Sequence, residues 1–286
     1  MATILVTCSV SRGKMVAMST SKDGCSVWDE VADLYAEGVS PFGLFSVELV
    51  KVAMLNPGER VVDLGTGNGQ GLFAAATAVA PAVVTGVDTS NAMLLAAKRR
   101  LVAAGMANTF LSRMDVSKLG FPDGSFDVAI ASSVFQFVGY ATEILVEWRR
   151  VIRPGGRLVL SVPQHPAKAD TMSVLVEAIQ DKAPGSALGR LPQGSERQRP
   201  DVPTMCHRGG FREVSCSSLH LHVELADFED WWAIQWSHGI RRVLGSFDPP
   251  TLEAVKHETA ERLEGDRNVR GMIPFDAQML AYSAIV

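Results

Sequence analysis

Three acids and a run of alternating glycines are the residues of this chain whose types and spacing could do chemistry. Val61-Val62-Asp63-Leu64 is followed by glycine at Gly65, Gly67, Gly69 and Gly71, and then by Leu72-Phe73-Ala74-Ala75-Ala76. An apolar run ending in an acid, a glycine turn and an alanine-rich run read as strand, turn and helix. Glycine takes backbone conformations that a Cβ forbids, so a ligand can approach the N–H groups that the first turn of a helix leaves unpaired. The spacing departs from a dinucleotide site, which needs G-x-G-x-x-G, because the sixth position counted from Gly65 is Gln70. Asp63, two residues before the first glycine, would repel a pyrophosphate and attract an ammonium group. Asp88 closes a second apolar run, Val83 to Val87, and lies 23 residues after Gly65. Ligands in open α/β sheets bind beyond the carboxyl ends of the strands, so Asp88 is expected on the same crevice, where its two oxygens can accept from both hydroxyls of a ribose. Asp115 follows a third short strand, Thr109 to Leu111.

These residues need a scaffold, and the rest of the chain supplies one. Thr89-Ser90 offers caps for a helix through Met93, Leu94 and Ala97. Pro122-Asp123-Gly124 is turn chemistry before a fourth strand, Phe126 to Ala131, which ends at Ser132-Ser133. Ile144, Leu145, Trp148 and Val151 define one face of a helix over 141–152, and Arg157 to Val162 is a fifth strand. Apolar strands separated by helices need both faces covered, which a mainly parallel sheet provides. Met172 to Ile179 reads as a further helix, and 182–210, rich in Pro, Gly and Arg, as a long surface connection. Leu219, Leu221, Val223 and Leu225 alternate with His220, His222 and Glu224, a strand with one polar face. A helical insertion over 226–265 carries Phe228, Trp231, Trp232 and Trp236, and 277–286 closes as a strand.

Val61 to Gly71, the run Phe121-Pro122-Asp123-Gly124-Ser125-Phe126-Asp127, and R-x-x-x-P-G-G at Arg150 to Gly156 together resemble the class I S-adenosylmethionine (SAM)-dependent methyltransferases. The specific motifs cover about Trp28 to Val162; beyond that the likeness is one of topology. The resemblance implies a Rossmann-like α/β fold, a mainly parallel seven-stranded sheet in the order 3-2-1-4-5-7-6 with helices on both faces and a helical cap. Met15 and Met18 leave open a flexible leader over 1–22, and the resemblance implies a helical lid over 23–56 and a SAM-binding domain over 57–286 that includes the 182–210 loop and the cap. SAM is the implied cofactor and S-adenosylhomocysteine (SAH) the product. Tyr35, Asp63, Gly65, Gly67 and Gly69 would lie by its methionine part, Asp88 by the ribose, and Met114, Asp115 and Val116 by the adenine, with Thr89 and Met93 as further cofactor-binding residues. The methyl would point toward Ser132.

The implied activity is methyl transfer to O, N or C of a small, largely apolar metabolite, in the manner of the quinone-pathway and secondary-metabolism members of the family. Phe42, Phe137, Trp231, Trp232 and Trp236 are the candidate substrate pocket, with a packing role as the competing reading. His165, after the fifth strand, and His238, in the cap, are the candidate acid–base residues. Relatives often carry a histidine after the fourth strand, where this chain has Phe135-Gln136-Phe137. The same fold and cofactor could instead serve a non-methylating reaction such as cyclisation, or a protein-binding module.

Composition narrows the remaining classes. The 286 residues carry a formal net charge of −4 without a long basic run, which argues against nucleic acid, as does the lack of an N/D-P-P-Y/F segment after the fourth strand. The cysteines Cys8, Cys25, Cys206 and Cys216 show no metal-ligand spacing and suit a reduced, cytoplasmic protein, so no metal is expected. No apolar run is long enough to span a membrane. The expected partner is a small-molecule methyl acceptor; a homodimer is one of the oligomeric states left open.

Overall fold

The structure is a computed structural model and describes residues 2–6, 28–29, 32, 42–164, 171–186, 200–237 and 240–286. Eight strands form one sheet: β1 (Ala2–Val6), β2 (Val61–Leu64), β3 (Val84–Asp88), β4 (Thr109–Arg113), β5 (Phe126–Ser132), β6 (Ile152–Pro163), β7 (Arg212–Leu225) and β8 (Ile273–Ile285). Their order is β4-β3-β2-β5-β6-β8-β7-β1. Seven of them reproduce the expected 3-2-1-4-5-7-6 arrangement, with β8 antiparallel to both β6 and β7 and the other pairs parallel. The eighth strand comes from the segment expected to be a leader: β1 lies parallel to the outer edge of β7, with Thr3 opposite His220 and Leu5 opposite His222.

The helices are α1 (Gly43–Val52), α2 (Gln70–Val79), α3 (Asn91–Ala103), α4 (Thr142–Val151), α5 (Thr171–Lys182), α6 (Val202–Arg208), α7 (Phe228–Gln235), α8 (Arg241–Leu244) and α9 (Pro249–Glu264). One sheet face packs under α1, α2, α5, α7 and α9, joining Phe45, Leu72, Leu175, Trp231 and Val255 to Leu219, Leu221 and Phe275. The opposite face packs under α4 and α6, joining Trp148 and Cys206 to Leu158, Leu160 and Tyr282. β2 is buried at all four positions because both faces are covered, which is why its sequence is apolar throughout apart from Asp63.

Helix starts follow their caps. Asp201, Asp227 and Asp248 each accept a backbone N–H three residues on, at the starts of α6, α7 and α9. Asp201 followed by a proline in the first turn is the reason a helix forms inside 182–210, where the sequence reads as a plain connection. The 226–265 region is three helices, broken between α7 and α8 around Trp236 and Ser237. No helix among the described residues is long and apolar enough to cross a membrane.

Candidate active site

The carboxyl ends of β2, β3 and β5 converge on the glycine turn. Gly65, Gly67 and Gly69 all have positive φ, at 68°, 52° and 77°. At Gly65 an added Cβ would stand 2.5 Å from Val134, in the loop after β5, so the turn and that loop are pressed together. At Gly67 it would meet nothing within 4 Å, which leaves the backbone there open to an approaching ligand.

Asp88 stitches the two loops. Its Oδ2 accepts the Gly67 N–H and its Oδ1 the Ser90 N–H, each at 2.9 Å. Burial raises its carboxyl above the ordinary range, and the nearby Asp29 adds to this. Asp63 lies below the turn, where the Thr66 hydroxyl donates to it at 2.7 Å. Burial, with the charge of Asp88 as a smaller contribution, pushes Asp63 up to about 6. Asp29 of the N-terminal segment accepts from the Ser90 hydroxyl at 2.6 Å and from the Ala92 N–H at 3.1 Å. Ser90 itself caps α3 by accepting from Met93 N–H, so Asp29 is drawn to a helix start. Three carboxylates therefore crowd one crevice.

Beyond Asp88, a cavity of about 270 Å³ is lined by Thr89, Arg113, Met114 and Asp115. The loop below it is fixed from α4: the buried Trp148 indole donates to the Val116 carbonyl at 2.9 Å, Glu147 accepts the Leu119 N–H, and Arg150 donates to the carbonyls of Leu119 and Phe121. The Asp115 side chain accepts from Ser117 N–H at the start of this loop. A larger hollow of about 590 Å³, lined by Ala76, Pro81, Met106 and Asn108 among others, opens at the opposite ends of β3 and β4 and is remote from these acids.

On the other flank, Ser132 ends β5 and its hydroxyl accepts from Ser46 of α1 at 3.0 Å. Ser133 follows with φ 55°, an uncommon conformation for a residue with a side chain, and its N–H reaches Ser161 of β6. Phe137 is exposed and meets Trp28 edge-on at 4.9 Å between ring centres, so the N-terminal segment bridges from α3 to the loop after β5.

Phe42 packs edge-on against Phe275 of β8. Trp231 and Trp232 are buried in the core, stacked on Phe228, and Trp236 sits edge-on to Trp232 with partial exposure. Trp231 and Trp232 share a buried cluster with Leu221, Leu225 and Phe275, and Trp236 packs against it. Tyr35, His165 and His238 lie outside the described residues. Among the described residues no group of three His, Cys, Asp or Glu is placed to hold a metal ion.

The family described as a methyltransferase domain matches residues 62–160, the span from β2 through β6. Aklanonic acid methyltransferase DauC of Streptomyces sp. (strain C5) is 30% identical over 186 residues, 64% of this chain and 82% of that protein. The chain belongs to the class I SAM-dependent methyltransferases. Nocamycin O-methyltransferase of Saccharothrix syringae is 28% identical over 257 residues, 83% of this chain and 89% of that protein. Among solved structures, the YcgJ protein of Bacillus covers 84% of this chain and 97% of its own length with a TM-score of 0.55 at 20% identity, a likeness of fold. SAM is the cofactor of this methyltransferase, and membership of the family favours methyl transfer over a non-methylating use of the fold.

The crevice fits that cofactor. SAM is positively charged at sulfur and at its amino group, and Asp63 is held by a hydroxyl while burial and Asp88 raise it, so a cation beside it relieves the cost of its charge. Asp29 and Ser46 are the site residues that reading the sequence missed. A lone acid or serine in a helical preface carries no local signal; both act through partners far along the chain.

Proposed function

We propose that this methyltransferase acts on a small, largely apolar metabolite, methylated at O, N or C. The observation that carries the cofactor part is the convergence of the glycine turn, Asp63 and Asp88 at one sheet edge, with the Thr89–Asp115 cavity beside them. In this reading Asp88 takes the ribose hydroxyls with the lone pairs left after its two backbone bonds. Thr89 and Met93 flank it. Asp115 accepts from the adenine amine, the Val116 backbone meets the ring, and Met114 covers its face. Asp63, Gly65, Gly67 and Gly69 hold the methionine part, with Tyr35 a further candidate. Bound SAM supplies a methyl group made electrophilic by the positive sulfur.

The residues of the chain then have two tasks. Ser132, fixed by Ser46, and Ser133, fixed by Ser161, give the acceptor a rigid floor. Phe137 and Trp28 close the mouth with apolar surface, which suits an apolar acceptor and keeps water from the reacting atoms. The relatives, an aklanonic acid methyltransferase and a nocamycin O-methyltransferase, support a small acceptor of this kind. A cytoplasmic setting belongs to the same proposal and is supported by the free thiols of Cys206 and Cys216.

Calorimetric titration with SAM and SAH tests the cofactor site, with Asp88→Ala as the paired variant. Binding by the folded wild type that weakens at least about tenfold in the variant is expected, since a charge-assisted bond is lost. Folded wild type that binds neither compound overturns the reading.

A further inference from the structure

β4 ends at the cavity beyond Asp88. Arg113, its last residue, stands opposite Asp88 in the parallel pairing with β3, and the Met114 N–H continues the ladder by donating to the Asp88 carbonyl at 3.0 Å. Successive side chains of an extended segment leave on opposite faces, so Arg113 and Met114 flank the sheet edge from its two sides. Packing on each face bears this out. Leu111, two residues before Arg113, packs with Leu72 on the α2 face, whereas Met114 packs with Val116 and Leu119 on the α4 face. Both Arg113 and Met114 line the cavity of about 270 Å³, together with Thr89 and Asp115.

The two flanks are fixed differently. Met114 Sδ accepts the Gly120 N–H at 3.2 Å, so the thioether is held by its own loop. Arg113 Nε donates to the Thr89 carbonyl at 3.0 Å, and this bond anchors a planar guanidinium whose other donors lie on Nη1 and Nη2. Among the described residues those two atoms bond no protein group, and Arg113 forms no ion pair with Asp115, although both line the cavity. The side chain is exposed, and ordering a long exposed arginine costs rotamer freedom. Anchored at one end, Arg113 leaves its flat face to whatever enters the cavity.

We propose that Arg113 is a cofactor-binding residue, whose guanidinium lies over one face of the adenine while Met114 covers the other. The inference rests on the SAM reading above, which puts Asp115 on the adenine amine. A guanidinium suits this task because it is planar, weakly hydrated and attracted to the negative face of an aromatic ring. Asp115 then reads the edge of the base, and Arg113 and Met114 hold its plane. A competing role would be that of a tie, in which Arg113 acts only by holding Thr89 and, through it, Asp88. Two substitutions separate these roles. Lysine keeps the charge and a donor for the Thr89 carbonyl but has no plane, and phenylalanine keeps a plane without charge or donor.

The experiment is calorimetric titration of SAH into wild type, Arg113→Ala, Arg113→Lys and Arg113→Phe, with a thermal melt of each to show that it is folded. Arg113→Ala should weaken SAH by about tenfold, the order expected when a base loses a stacking partner. Arg113→Lys should stay within about twofold of the alanine variant, and Arg113→Phe should return to within about threefold of wild type. Because the side chain is exposed, the four proteins should melt within about 2 °C of one another. The proposal is overturned if the alanine variant binds like wild type, if phenylalanine does not recover binding, or if lysine does. Folded wild type that binds no SAH would instead sink the SAM reading itself, so the two failures are told apart.

Discussion

The carboxyl edge of this sheet is built in two ways. Around β2 and β3 the chain spends backbone freedom: three glycines at positive φ, and carboxylates tied to main-chain N–H groups. Around β7 and β8 it uses regular pairing, and chemistry resides in side chains that alternate along the strands. In the first region a residue is held by what the main chain must do, and a substitution there changes shape. In the second the main chain is indifferent to the side chain, so substitution changes packing on the buried face or the groups presented on the polar one.

The comparison breaks most readily at Gly65. Gly65→Val adds a Cβ 2.5 Å from Val134 and places a branched residue at φ 68°. A conformation of that kind costs on the order of 1–3 kcal/mol, so loss of measurable SAH binding with a lower melting temperature is expected. The pair Gly65→Ala and Gly65→Ala with Val134→Ala separates contact from backbone. If φ governs, relieving the contact restores little binding; full recovery in calorimetry would show that the turn tolerates a side chain.

Asp63→Asn is a smaller test, and its sign is informative. The folded carboxyl is raised to about 6 from an ordinary 3.8, so the folded state holds the proton more tightly than the unfolded chain. Stability is then greatest below the unfolded value and declines as pH rises through about 6, by up to roughly 3 kcal/mol for a shift of this size. The amide avoids that cost. Asp63→Asn should be more stable than wild type at pH 7, by about 1–3 kcal/mol, and no more stable at pH 3, while binding SAM more weakly at pH 7. Urea titrations at the two pH values check this. An unchanged midpoint at pH 7 would mean that Asp63 carries its charge there without penalty.

How far the sequence revealed the site follows from the same contrast. Asp63, Gly65, Gly67 and Asp88 are legible because a turn with these constraints admits few residues and the strands before it are apolar on both faces. The strand order was accessible through family topology, whereas β1 was not, since a short apolar run states nothing about which edge it joins. Asp29 is 61 positions from the Ser90 hydroxyl it accepts from, and Ser46 is 86 positions from Ser132. The alternation of His220 and His222 was plain; the partner Asp276, 54 positions from His222, was not. Trp231 and Trp232 left two readings open, a pocket and packing, and local density could not separate them; in the structure both are buried.

The smallest effect sharpens the comparison at the cap. Arg262 of α9 donates to Glu177 at 3.2 Å, to Glu258 at 2.8 Å and to Asp181, joining α9 to α5, while Lys182 pairs with Glu258. These groups are partly exposed, and such pairs gain little over their hydrated ends, so Arg262→Ala should cost about 1 kcal/mol or less. Screening shortens the reach of charge to about 3 Å at 1 M salt, and the difference from wild type should shrink there. SAH affinity should stay within about twofold of wild type, because Arg262 and its partners join α9 to α5 and make no contact with the described residues of the glycine-turn crevice. A larger loss would mean that the position of the cap sets the shape of the cofactor crevice, and the two regions would then have to be treated as one mechanical unit.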